Sequence, residues 1–266
     1  MQVPWVGGPV VRCPLLYNSF WGPSWGDATH QALANQINQF TQDLLASNFQ
    51  NTLTQYGELT GAHGGAFIRA SFLAGVPATL TVSSYEQIIQ QFITAGVFPQ
   101  PVDLNASVSV PMLMIYLDEH TVINGGGRQL NIPGAGDLAY HDSFVTANGQ
   151  PCIYSFMAFL PLNEVTWVAR HEFAEAITDP LYNAWTPDHL LPGPSLSALQ
   201  HTVEIFRAFA RELRGPRRQP GCRQQHRRAG FTRVQWRLTS RAAIPLLAFG
   251  RRETGGIQAL RLHRRR

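Results

Sequence analysis

The sequence predicts an α+β domain with a mixed sheet and one buried helix over residues 1–188, followed by a poorly structured arginine-rich tail over 189–266. Three observations carry this. Short strand-like runs alternate with two amphipathic helical segments in the first half of the chain. An apolar hairpin pattern then feeds a third helix, NEVTWVARHEFAEAITD. Charge reverses near residue 188: residues 1–188 hold 4 Arg against 14 Asp and Glu, a net −10, and residues 189–266 hold 17 Arg against 3 Glu, a net +14, which together give the +4 of the whole chain. There is no lysine in either part.

With 266 residues, 44% hydrophobic and 14% charged, the chain can bury a sizeable core. No apolar run reaches the roughly 18 residues needed to span a bilayer, so no membrane span is expected. The opening MQVPWVGGPVV has no basic stretch followed by an apolar one, so no signal peptide is visible. Cys13, Cys152 and Cys222 are too few and too scattered for a disulfide framework or a cysteine-rich zinc module; one pair could bridge.

Each element has its local reason. VVRCPLLYNSF (10–20) reads as a strand closed by the turn residues of WGPSWG. In 27–47, Asp27 can cap a helix whose Leu33, Ile37, Phe40 and Leu44 recur on one face. GGAFIRASFLAG and ATLTVSS alternate as strands do. SYEQIIQQFITAG reads as a helix capped by Ser83 or Ser84 and ended by Gly96. SVSVPMLMIYL (107–117) is a strongly apolar strand, and NGGGRQLNIPGAGD reads as loop. Residues 138–160 form a hairpin turning at ANGQ. The third helix would start at Asn163 as N-cap, with Leu162 and Trp167 as a hydrophobic staple, and stop at Pro180.

That third helix carries the chemistry. RHEFAE differs from the zinc-peptidase pattern H-E-x-x-H by a glutamate in the last position. At about 100° per residue, His171 and Glu175 lie about 40° apart and one turn from each other, so both can reach one ion. Glu172 lies beside the same groove, where a general base would stand. Carboxylate can replace imidazole as a zinc ligand, at some loss of Lewis acidity. A purely structural arrangement competes with this: His171 bonded to Glu175 in the core, and Glu172 paired with an arginine. Asp179 is too far along the axis, by about 12 Å, to share the ion, and fits a cap before Pro180. His141, on the strand before the helix, could face the groove or be an ordinary hydrogen-bonded strand histidine.

AYHDSF (139–144), a following strand, and VARHEFAEAITDPLYNAW (168–185) resemble the phosphate-induced, Exordium-like proteins and their microbial zincin-like relatives. LLYNSFWG (15–22) resembles the first strand of that family, and the resemblance covers about residues 10–188. It implies a zincin-like fold, an extracellular location, and a zinc site with His171 and Glu175 as ligands and Glu172 as base. His141 matches the histidine of the family's Y-H pair. The family continues past N-A-W into an acidic segment that this chain lacks, so residues 1–188 are expected to be an incomplete domain. Asp188 stands nearest to where that segment would return a ligand and is assigned as the third ligand on position alone.

Three functions compete. The first is a secreted metallopeptidase-like protein, zinc activating a water and Glu172 taking its proton to hydrolyse a peptide or cell-surface substrate. The second is a non-catalytic extracellular signalling or binding protein of the same fold. The third is nucleic-acid binding through the basic tail, and the lack of an aromatic platform or known motif beside the charge argues against it. The tail reads either as disordered or as sequence outside the family's reading frame.

Overall fold

The structure, a computed structural model, describes residues 7–47, 49, 53, 65–104, 109–134 and 137–184. Asp188 and the tail lie outside the described residues. What is described is α+β, as expected. A five-stranded sheet runs in the order β2 (Ala66–Leu73), β1 (Pro14–Trp21), β4 (Val110–Leu117), β8 (Pro151–Met157), β7 (Ala139–Val145). The first four strands are parallel and β7 pairs antiparallel to β8. A second sheet joins β3 (Thr79–Leu80), β5 (Val122–Gly125) and β6 (Arg128–Leu130). Three α-helices, α1 (Ala28–Ala46), α2 (Val82–Thr94) and α3 (Leu162–Thr178), are described as well, with a single 3-10 turn at Pro23–Gly26.

Alternation along the strands sorts side chains into two cores. Leu16, Phe20, Met112, Met114, Tyr116, Ile153 and Met157 meet α1 and α3 on one face. Tyr17, Trp21, Leu113, Ile115, Tyr154 and Phe156 meet α2 and the small sheet on the other. The central strand β4, VPMLMIYL, is buried at all eight positions. Its unbroken apolar run follows from having both faces covered, where a half-exposed strand would alternate. On β7, Tyr140 packs on the α2 face and Ala139 on the α3 face. The period of two therefore turns His141 toward α3.

Several local expectations need correction. ATLTVSS is not a strand: only Thr79–Leu80 pairs, and α2 starts at Val82. Its cap is Thr81, in a capping box with Ser84, because the Ser84 hydroxyl returns to the Thr81 N–H. The stretch read as loop holds the β5–β6 hairpin, which turns through Gly125, Gly126 and Gly127, all at positive φ. Helix α3 starts at Leu162 with Pro161 as its cap residue, not Asn163, and Trp167 is 45% exposed rather than stapled inward. Asp27 caps α1 as predicted, accepting from the His30 N–H at 2.8 Å. Cys13 and Cys152 are not joined to each other by a disulfide. Among the described residues no helix is long and apolar enough to cross a membrane.

Gly22 closes β1 where sequence and packing leave no alternative residue. Its φ is 125°, and a Cβ there would run into the carboxyl group of Asp118. That buried carboxylate ties the ends of β1 and β4 together. It accepts from the Ser24 N–H at 2.9 Å, the Thr121 hydroxyl at 2.7 Å and the His120 N–H at 3.2 Å. Gly22→Ala is therefore expected to cost at least about 2 kcal/mol, from backbone strain plus the displaced carboxylate. Chemical denaturation of the two proteins measures this directly; equal midpoints would contradict it.

Candidate metal centre

Helix α3 is long enough to present several positions to the sheet, and its apolar residues dictate which. Val165, Val168, Ala169, Phe173, Ala176 and Ile177 are buried and fix the rotation of the helix. That rotation brings Glu172 inward, 4% exposed, and leaves Glu175 and His171 half-buried beside it. His141, also 4% exposed, meets them from β7.

The four side chains form one cluster. His171 Nε2 lies 3.2 Å from Glu175 Oε1, so the predicted pair one turn apart does meet. His141 Nδ1 lies 3.4 Å from Glu175 Oε2 and 3.4 Å from Glu172 Oε2. Donor atoms of His141, Glu172 and Glu175 all fall within 4.8 Å of one another. Glu172 thus sits within the donor group, not merely beside it. Asp179 is not part of the cluster and instead shapes the turn after α3. Its Oδ1 accepts from the N–H of Asn183 at 2.7 Å and of Ala184 at 2.8 Å.

The protonation of the metal-free cluster follows from its charges. Burial disfavours the His141 cation, but hydrogen bonds and charge from Glu172 and Glu175 outweigh this and push its pKa up to about 9. Burial likewise opposes the Glu175 carboxylate, yet His141 and His171 together hold it well below the usual carboxylate range. His171 is raised in turn, burial being overcome by Glu175. His141 Nε2 makes a long hydrogen bond, 3.4 Å, to the backbone oxygen of Asp179. Only an N–H can donate there, which leaves Nδ1 for the carboxylates.

These residues fit a divalent cation. Charge-assisted hydrogen bonds close to about 2.7–2.9 Å, and the two His141–carboxylate separations are wider. They match the donor–donor edge of a tetrahedral site with zinc bonds of about 2.0–2.1 Å, which is about 3.4 Å. Buried Glu172 Oε2 accepts no well-aligned hydrogen bond from any described residue, although His141 Nδ1 stands 3.4 Å away. In the metal-free protein the protonated His141 ring stands beside this oxygen, and a divalent cation would take that place. A histidine whose outer nitrogen is held by a carbonyl is also the usual arrangement around a bound metal.

Two aromatic rings frame the histidines. Tyr182 stacks on His141 with centroids 4.5 Å apart, and Trp167 lies parallel to His171 at 6.2 Å. Tyr182 was not singled out by the sequence reading, because nothing in LYNAW distinguishes a ring folded back over a strand from one facing solvent.

Compared with known protein families, the chain matches no family model, and no curated protein matches it either.

Proposed function

We propose that the protein is an extracellular, metallopeptidase-like protein of the Exordium-like group. It binds one divalent metal ion, zinc first among the candidates, through His141, Glu172 and Glu175. The observation that carries this reading is the convergence of three donor atoms from two elements on one buried point. When bound, zinc supplies Lewis-acid polarisation of a peptide carbonyl and activation of water. His171 braces Glu175 from the outer side, and its Nε2, at 3.2 Å, can hold a proton near the reacting group. The substrate class is a peptide or a cell-surface polypeptide.

One observation favours the non-catalytic alternative. A carboxylate committed to the metal is not free as a base, and Glu172 stands among the donors. Two carboxylates also neutralise the charge of the ion and weaken it as a Lewis acid. Zinc content and hydrolysis of a peptide library, measured on the wild type and on Glu172→Gln, separate the readings. If Glu172 is a ligand, Glu172→Gln is expected to bind zinc about tenfold or more weakly. Full zinc occupancy with lost hydrolysis would return Glu172 to the role of base. A wild type that cleaves nothing, with or without zinc, would support the non-catalytic protein, and one that takes up no metal would end the metal-centre reading.

A further inference from the structure

The turn after α3 holds His141 more closely than connection of the chain requires. Asp179 closes the helix with its N–H on the Glu175 carbonyl at 2.7 Å. Its own carbonyl accepts from the Tyr182 N–H at 3.2 Å and from His141 Nε2 at 3.4 Å. The Tyr182 ring lies across the imidazole, centroids 4.5 Å apart and planes 23° from parallel. The Tyr182 hydroxyl donates to the backbone oxygen of His141. One residue therefore contacts both the ring and the main chain of the histidine.

Tyr182 does this from an unfavourable backbone. Its φ is 54°, in the left-handed region that a bulky side chain seldom occupies. Such a conformation costs about 1–3 kcal/mol and persists only where its surroundings impose it. They do so from two sides. The Asp179 carboxylate fixes Asn183 and Ala184 from within the turn. The N-terminal segment presses from outside: a Cβ on Gly8 would stand 2.5 Å from the Ala184 backbone, and the Val11 N–H bonds the Ile177 carbonyl at 2.9 Å. Burial does not repay the strain, because Tyr182 is 48% exposed. Its ring serves the histidine it covers more than the core.

We propose that Tyr182 is a positioning residue of the metal centre. Its ring and hydroxyl, held by the turn from Asp179 to Ala184, fix the plane and tautomer of His141 so that Nδ1 faces Glu172 and Glu175. The proposal rests on the metal reading above for its purpose, though its geometry is independent of any ion.

Tyr182→Gly and Tyr182→Phe in the full chain test it. Glycine adopts φ 54° freely, so Tyr182→Gly removes the ring without a backbone penalty. Zinc affinity is read by competition with a chelating dye, and the His141 tautomer by ring ¹⁵N NMR of metal-free protein at about pH 10. Tyr182→Gly is expected to bind zinc about 10–100-fold more weakly, and to show both neutral tautomers where the wild type shows a single one. Tyr182→Phe, which keeps the stack, is expected to stay within about tenfold of the wild type. Unchanged zinc affinity and a single tautomer in Tyr182→Gly would overturn the proposal. If the wild type takes up no zinc, the metal reading falls, and the tautomer comparison alone decides the positioning role. Should Tyr182→Gly fail to fold, Tyr182→Asn, which also tolerates a left-handed backbone, is judged on the same two scales.

Discussion

Alanine at position 141 is expected to lower the zinc affinity of the full chain by about 100-fold or more. His141 is the one imidazole in the three-donor group, and removing it leaves two carboxylates that both come from α3. Loss of an outer-sphere partner alone costs about 10–100-fold, and a direct ligand costs more. The metal-free protein is expected to suffer as well. Without the cation at 141, Glu172 keeps a buried oxygen with no positive neighbour in hydrogen-bond range among the described residues. Breaking a buried pair by deleting one partner costs about 3–5 kcal/mol. Zinc titration and urea unfolding of His141→Ala, run side by side, examine both halves. A variant that binds zinc normally removes His141 from the ligand set. Normal stability in the metal-free state removes it from the ion cluster.

The second large effect is on pH and can be turned off by metal. In the metal-free protein the His141 pKa stands near 9 against an ordinary 6.5, because two glutamates outweigh the effect of burial. A raised pKa in the folded state means that the stabilisation is fully present below about pH 6.5. It is then lost as pH rises through about 9, a change of about 3 kcal/mol. Glu175 acts on the other side. Its lowered pKa contributes stability that is present above about pH 4.5 and fades as the pH falls, while the histidines lose nothing there. Zinc at this site would replace the proton on Nδ1, so binding should release protons, and the zinc-loaded protein should lose the alkaline decline. Unfolding free energy between pH 6 and pH 10, with chelator and with zinc, gives the two curves. Parallel curves would refute the shared place of proton and metal.

Much of the fold was legible because hydrophobic period and chemistry agreed. The apolar run of 110–117, the face of α1 capped by Asp27, and the span of α3 to within two residues all follow from pattern. Boundaries failed where caps compete. Pro161 rather than Asn163 opens α3, and Thr81 outranks Ser83 because only it has Ser84 at the third helical position. The β5–β6 hairpin escaped notice because three successive glycines read as loop, although glycine is what the positive φ of that turn requires. At the site, helical spacing was enough to join His171 to Glu175. His141 needed more. Its approach depends on the register of β7 on β8, which pairs His141 with Ser155, and no local pattern encodes that register. Asp188 was assigned on position alone and lies outside the described residues. Tyr182 required a chain reversal with a left-handed backbone, which residue type disfavours.

The strap formed by Gly8 and Val11 against the end of α3 has a kinetic meaning. The HEFAE helix is local sequence and can form early, but by itself it offers Glu172 and Glu175 without His141. That histidine arrives when β7 docks, and its orienting turn is braced where Gly8 and Val11 cross the end of α3. The donor set therefore joins pieces distant in sequence, and closing such long loops belongs to the late part of folding. A metal held in this way cannot nucleate the domain. An ion bound there would be taken up by a chain that has already folded, and would act afterwards as a clasp whose weight falls on the rate of opening.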